Sequence, residues 1–288
     1  MGQSPWRLAL RRLRRDRVSL AFGVLFVALV LGALAAPIWA SAVADREPNR
    51  TNETGQIEVD GKPVNVVSLD GVPIGPQWGG EYFLGADANG RDVMVRLLYG
   101  ARNSLLIGLA AALLTTILAT VVGLVAGYFG RWVDAVARST LDVIWAFPVI
   151  LLGVALGTAL AILFIGFYSR VLRSSVLDTM SEDFVRTARA KGLGERQVLL
   201  RHVLRNSLIP IVTLWGLDFG AVVAGGAILT ETVFDLQGVG QYAAESVGQL
   251  DVPPVLAVTL FGAFFIVVLN TVVDIVYALL DPRIRVTT

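Results

Sequence analysis

Several long apolar stretches, each able to cross a lipid bilayer, limit what this chain can fold into more than any other feature of it. A crossing needs about 20 predominantly apolar residues to cover the roughly 30 Å hydrocarbon core. With no water to satisfy backbone groups there, such runs must be helices or closed barrels. Helical spans are expected at about 18 to 41, 103 to 128, 133 to 154, 157 to 177, 208 to 231 and 253 to 280. With 55% hydrophobic and 16% charged residues, the chain is too apolar for an ordinary soluble α/β domain. The expected fold class is all-α integral membrane, with six transmembrane helices and an external segment between helices 1 and 2. In order, this gives a basic N-terminus (1–17), the first span (18–41), the external segment (42–102), a helical core (103–281) and a short tail (282–288).

Charge sorts by position. Arg7, Arg11, Arg12, Arg14, Arg15 and Arg17 precede the first apolar run, and Ala40-Ser41-Ala42 after it imitates a signal cleavage site. Signal h-regions are about 7 to 15 residues long, so the longer run here is read as an uncleaved span. Lys and Arg accumulate in short cytoplasmic loops. That rule puts the N-terminal cluster, Arg131, Arg138, the stretch from Arg170 to Arg205, and Arg283 with Arg285 on the cytoplasmic side. Both termini then face the cytoplasm, and the mainly acidic 43–100 and the loop 232–252, with Asp235, Glu245 and Asp251, face outside. Residues 143–168 form a nearly continuous apolar run that one long tilted helix would also explain. Charge parity favours a two-helix hairpin there, with Gly153 or Gly157 supplying the turn.

Between the fourth and fifth spans, residues 178–206 form a basic amphipathic segment. Ser181, Glu182 and Asp183 make a helix start, where acidic groups meet the positive end of the dipole. Phe184, Val185, Ala188 and Leu193 give a short apolar stripe, and Gly192 with Gly194 ends it. A second helix carries Val198, Leu199, Val203 and Leu204. From the residues alone two readings stand. One is a helix docked in a partner's groove; the other is a basic hairpin resting on anionic headgroups.

Residues 182–193 read Glu-Asp-Phe-Val-Arg-Thr-Ala-Arg-Ala-Lys-Gly-Leu, and 201–210 read Arg-His-Val-Leu-Arg-Asn-Ser-Leu-Ile-Pro. The segment is similar to the loop of binding-protein-dependent ABC importer permeases, an Glu-Ala-Ala, three residues, Gly pattern. Here the triplet reads Arg186, Thr187, Ala188 and the glycine is Gly192. Leu84 to Asp92, Arg96 to Leu105, Glu231 to Gly240 and Leu280 to Arg285 resemble the dipeptide and oligopeptide branch of that family. Residues up to about Ala159 resemble one of its two paired permeases, and those from about Ser169 the other, a mosaic. The resemblance implies an inner-membrane permease subunit importing peptides or similar small solutes, with no cofactor of its own. Its implied partners are two cytoplasmic ATPases, a second permease, an external solute-binding protein and membrane lipids. ATPase coupling would fall to Glu182, Asp183, Phe184, Thr187, Ala188, Arg189, Gly192 and Leu193.

Other signals carry less. Gly85 to Asp92 spaces two glycines like a phosphate-binding loop, but Arg91 and Asp92 stand where Lys and Ser or Thr are required, so ATP hydrolysis belongs to a separate subunit. Without cysteine, and with His202 as the single histidine, no zinc cluster can be assembled. Asn49 and Asn52 match the glycosylation pattern by chance, and near-zero net charge gives no nucleic-acid footprint. Charges inside spans mark pathways or structural pairs. Asp218 is the translocation-pathway candidate; Asp142 and Asp274 read as structural carboxylates. Gly123 with Gly127, and Gly220 to Gly226, let helices approach closely. The competing function is a stand-alone ion-coupled carrier built around Asp218. A ligand sensor is disfavoured, because 43–100 is too short for a sizeable independent core.

Overall fold

The computed structural model describes residues 17–59, 61–78, 80–146, 159–223 and 227–280. In chain order its elements are α1 (Arg17–Leu34), α2 (Ala36–Ala42), β1 (Gln56–Val59), β2 (Lys62–Asn65), α3 (Val93–Phe129), α4 (Arg131–Ala146) and α5 (Ala159–Met180). These are followed by α6 (Asp183–Ala190), α7 (Glu195–Gln197), a π-helical segment (Val198–Val203), α8 (Leu204–Ser207) and α9 (Ile209–Ala221). The last elements are α10 (Ile228–Val233), α11 (Val239–Gly248) and α12 (Val252–Leu280).

By length and apolarity, α3 and α12 each qualify as a membrane span, and α1 with α2 qualifies as a third, bent by 59° at its break. Pro37 explains the break: it enters the first turn of α2, where its missing N–H costs nothing, and its ring excludes continuation of α1. Helix α3 starts ten residues before the expected 103. Asp92 sets that start, its Oδ1 accepting from the N–H groups of Met94 (2.9 Å) and Val95 (3.1 Å). The expected fifth span, 208–231, is described in two parts, α9 (Ile209–Ala221) and α10 (Ile228–Val233), and 224–226 lie outside the described residues. The proposed turn at Gly153 or Gly157 lies outside the described residues.

The chain divides into two compact units. One is built mainly from 109–219, the other from 12–108 with 220–272.

In the first unit, α3 and α5 meet through glycine. A Cβ on Gly123 would stand 3.0 Å from the Ser169 carbonyl, and one on Gly127 2.9 Å from Val176 Cγ1. Side chains larger than hydrogen at these two positions would force the helices apart. Leu172 and Val176 on α5 then join Val185, Ala188, Val198, Val203 and Ile211 in one apolar core. Helix α4 is tied to α5 by charge: Asp134 accepts from Arg138 (2.5 Å) and Arg173 (2.8 Å), and Asp142 pairs with Arg170.

The second unit departs from an all-α expectation. Strands β1 and β2 form an antiparallel hairpin in which Gln56 pairs with Asn65 and Val59 with Lys62. Ile57 packs toward a small core of Val66, Tyr82 and Ala86. A second small core holds Ala40, Ala44 and Val95.

Candidate functional site

Helix α6 is an eight-residue amphipath that shows which of the sequence-predicted coupling residues face outward. Val185 and Ala188 are buried, Ala188 at 5% exposure, within the core shared with α5 and the π segment, and Leu193 packs against the same core. Phe184 is 41% exposed, and Glu182, Asp183, Arg186 and Thr187 are also exposed. Ala188 and Leu193 therefore hold the helix to its own unit. The exposed surface of the helix comprises Phe184 with Glu182, Asp183, Arg186 and Thr187.

The helix ends by a left-handed glycine. Gly192 has φ +78°, its N–H donates to the Arg189 carbonyl, and the Leu193 N–H reaches back to the Ala188 carbonyl. Arg189 then clamps the turn from outside, its Nε and Nη2 reaching the two carboxylate oxygens of Glu195 at 2.9 and 3.3 Å. Arg189 thus bridges α6 and α7 at the surface.

The π segment after α7 has a packing cause. Val198 and Val203, five residues apart, are both 1% exposed in the same core. Five residues of α-helix turn through about 500°, so the two side chains would point roughly 140° apart. Bonding from i to i+5, as from the Leu204 N–H to the Leu199 carbonyl, brings them onto one face.

Asp218, the pathway candidate, lies on α9 and accepts a hydrogen bond from the Tyr168 hydroxyl at 2.7 Å. Beside it the rings of Trp215 and Phe219 stack at 5.4 Å. The carboxylate is half-buried, with an aromatic wall on its own helix.

In the second unit, three of the motif stretches meet. Glu231 is fully buried and accepts from Ser104 Oγ (2.6 Å) and from the backbone N–H of Gln241 (3.0 Å), which lies in the first turn of α11. Ser104 Oγ in turn accepts from the Val239 N–H at 3.0 Å. Gly238 makes room for the carboxylate, since a Cβ there would stand 2.2 Å from Glu231 Cδ. A second network joins Asp87, Arg91, Arg96 and Glu245: Arg91 Nε meets Asp87 at 2.6 Å and Arg96 meets Glu245 at 3.1 Å. Both guanidinium groups lie over the Tyr242 ring, at 5.8 and 4.9 Å. Asp251, just before α12, accepts from the Ala88 N–H at 2.5 Å. Burial pushes its carboxyl above the usual range, with Asp87 adding to the rise while the Ala88 bond and Arg91 oppose it. Asp87, Arg91, Arg96, Ser104 and Glu231 sit inside the motif strings read from the sequence, but the strings do not reveal the pairs Ser104–Glu231 and Arg96–Glu245, each more than a hundred residues apart.

The family model described as "binding-protein-dependent transport system inner membrane component" matches residues 119–286, more than half the chain. The model of the N-terminal TM domain of oligopeptide transport permease C matches 4–54. A dipeptide transport system permease protein DppC of Alkalihalophilus pseudofirmus is 31% identical over 237 residues, covering 78% of this chain and 71% of the relative. The dipeptide permease DppB of Escherichia coli is 40% identical over 159 residues, 55% of this chain. The glutathione transport permease GsiC of Salmonella choleraesuis is 42% identical over 138 residues, 48% of this chain. The matches cover only 42% of each of these last two relatives. Similarity thus runs to relatives named both DppB and DppC. Matched by that family model over most of its helical part, and by a dipeptide permease over most of its length, this chain belongs to the binding-protein-dependent transport inner membrane components, the permease subunits of ABC importers, whose ATPase is a separate subunit.

Proposed function

We propose that the chain forms half of the translocation path of an ATP-driven importer of short peptides or similar solutes in the bacterial inner membrane. In this reading six helices cross the membrane, both termini and residues 178–206 face the cytoplasm, and 42–102 faces outside. Two ATPases engage the outward face of α6, a second permease of related sequence completes the path, and an external binding protein delivers the solute. Asp218, held by Tyr168, lines the path.

The observation that supports this best is the division of labour on α6. Its apolar face is sunk into the core around Leu172 and Val203, while an aromatic side chain and four polar residues project from it. A helix rooted on one side and armed on the other can transmit a push to α5 and α9. Peptide cargo follows from the dipeptide permease relatives.

Proteoliposomes holding the assembled importer test it. Uptake of a labelled dipeptide that stops on ATP depletion and survives a protonophore is the expected outcome. Collapse on adding the protonophore, with ATP present, would favour the ion-coupled carrier.

A further inference from the structure

The second unit contains a cavity of about 570 Å³ that the transport reading leaves unused. Its volume falls within the range of about 300–1,000 Å³ typical of small-ligand sites. All four residues of β1 line it, together with Arg46, Gln77 and Glu81, and no residue of β2 does. The cavity therefore runs along the outer edge of β1.

That edge carries free main-chain groups. In an antiparallel pair, residues alternate between bonding to the partner strand and pointing away from it. The Val66 N–H donates to the Gly55 carbonyl at 2.9 Å, which sets the alternation: Gly55, Ile57 and Val59 bond inward, and Gln56 and Glu58 direct their N–H and C=O outward. Among the described residues the sheet has two strands, and no third strand covers that side. The opposite edge is treated differently. Pro63, paired with Glu58, sits at the matching outward position of β2 and has no N–H to offer. One edge is thus closed by proline, and the edge on the cavity is open.

We propose that a short peptide in extended form binds here as a third strand, exchanging main-chain hydrogen bonds with Gln56 and Glu58. Recognition through the backbone is tolerant of side chains, as a carrier of varied peptides requires. Two outward residues match a segment of about three residues, too little for a stable protein interface but enough for a di- or tripeptide. The ends of such a ligand also find partners. Arg46, which holds Glu81 at 2.8 Å, can exchange it for the terminal carboxylate, and Glu58 suits the terminal ammonium. The inference rests on the peptide reading above.

The test uses the full chain in nanodiscs, without ATPases or binding protein, titrated with trialanine by calorimetry. Strand addition uses the N–H of alternate ligand residues. Methylating one of the two internal amides of trialanine should therefore weaken binding about fivefold to tenfold, and methylating the other should leave it unchanged. Glu58→Pro removes one edge donor at a register position where β2 already tolerates proline, and should weaken binding by a similar factor with unaltered far-UV circular dichroism. Arg46→Gln should abolish the preference for trialanine over its C-terminal amide. Equal tolerance of both methylations would overturn the proposal, as would no binding of trialanine at all; the methylated pair needs only the wild-type chain, so it decides even if a variant fails to fold. Dipeptide uptake by the assembled importer, measured in parallel, separates the two claims: uptake without edge binding sinks this site alone, and edge binding without uptake sinks the transport reading.

Discussion

Truncating Phe184 separates coupling from folding. The side chain is 41% exposed and contributes little to the core that Val185 and Ala188 enter. Exposed substitutions of this kind change stability by within about 0.5 kcal/mol. An aromatic anchor at the centre of a protein interface typically costs about 2 kcal/mol or more when cut to alanine, which is roughly a thirtyfold loss of affinity. Phe184→Ala should thus leave insertion and thermal unfolding of the permease unchanged, while ATPase capture and ATP-dependent uptake fall by that order. Ala188→Arg is the contrasting control. At 5% exposure beside Val185 and Val198, an arginine must either bury an unpaired charge or pull α6 out of the core, so the variant should lose folded protein as well as uptake. Co-purification of ATPase with each variant, and uptake normalised to folded permease, distinguish the two. Wild-type ATPase capture by Phe184→Ala would refute the assignment of the outward face.

Three further outcomes follow from the same geometry. Glu231→Ala strands the Gln241 N–H and removes a bond from Ser104, costing about 3 kcal/mol or more, whereas Glu231→Gln is milder; in a double-mutant cycle the cost of Gly238→Ala should shrink once Glu231 is shortened, and simple additivity in thermal unfolding would contradict the contact. Deleting Leu200 places Val198 and Val203 four residues apart, which an ordinary α-turn aligns, so the variant should unfold at nearly the wild-type temperature; a loss as large as that of Val203→Asp would contradict the packing cause of the π segment. Asp251 has a folded-state pKa raised above the 3.8 of an ordinary Asp, so the folded state holds its proton more tightly and stability falls as pH rises from about 3.8 through the raised value. Asp251→Asn should remove that fall; an unfolding profile with the same pH slope in wild type and variant would count against it.

Some of this was legible in the residues, and the rest was not for identifiable reasons. Apolar length marked α3 and α12, but the start of α3 depends on Asp92, a cap whose Oδ2 also accepts from the Tyr82 N–H at 2.6 Å, and a hydropathy reading passes over polar first turns. The hairpin carried the one strong local signal that went unused, Asp-Gly at positions 60 and 61 between two short strand-like runs. For α6, periodicity found the helix and its glycine stop, yet the stripe Phe184, Val185, Ala188 mixed an outward residue with inward ones. Only the position of the core behind α6 resolves which is which. The bonds of Glu231 and Arg96 span well over a hundred residues, a separation at which a single sequence carries no pairing information.

In the proposed importer the exposed face of α6 lies on the ATP side and meets an ATPase there. With no native cysteine, Thr187→Cys gives a single reporter on that face. An impermeant maleimide should label it in inverted membrane vesicles and not in intact cells, and bound ATPase should block the labelling. Labelling from outside intact cells would contradict both the orientation and the coupling role.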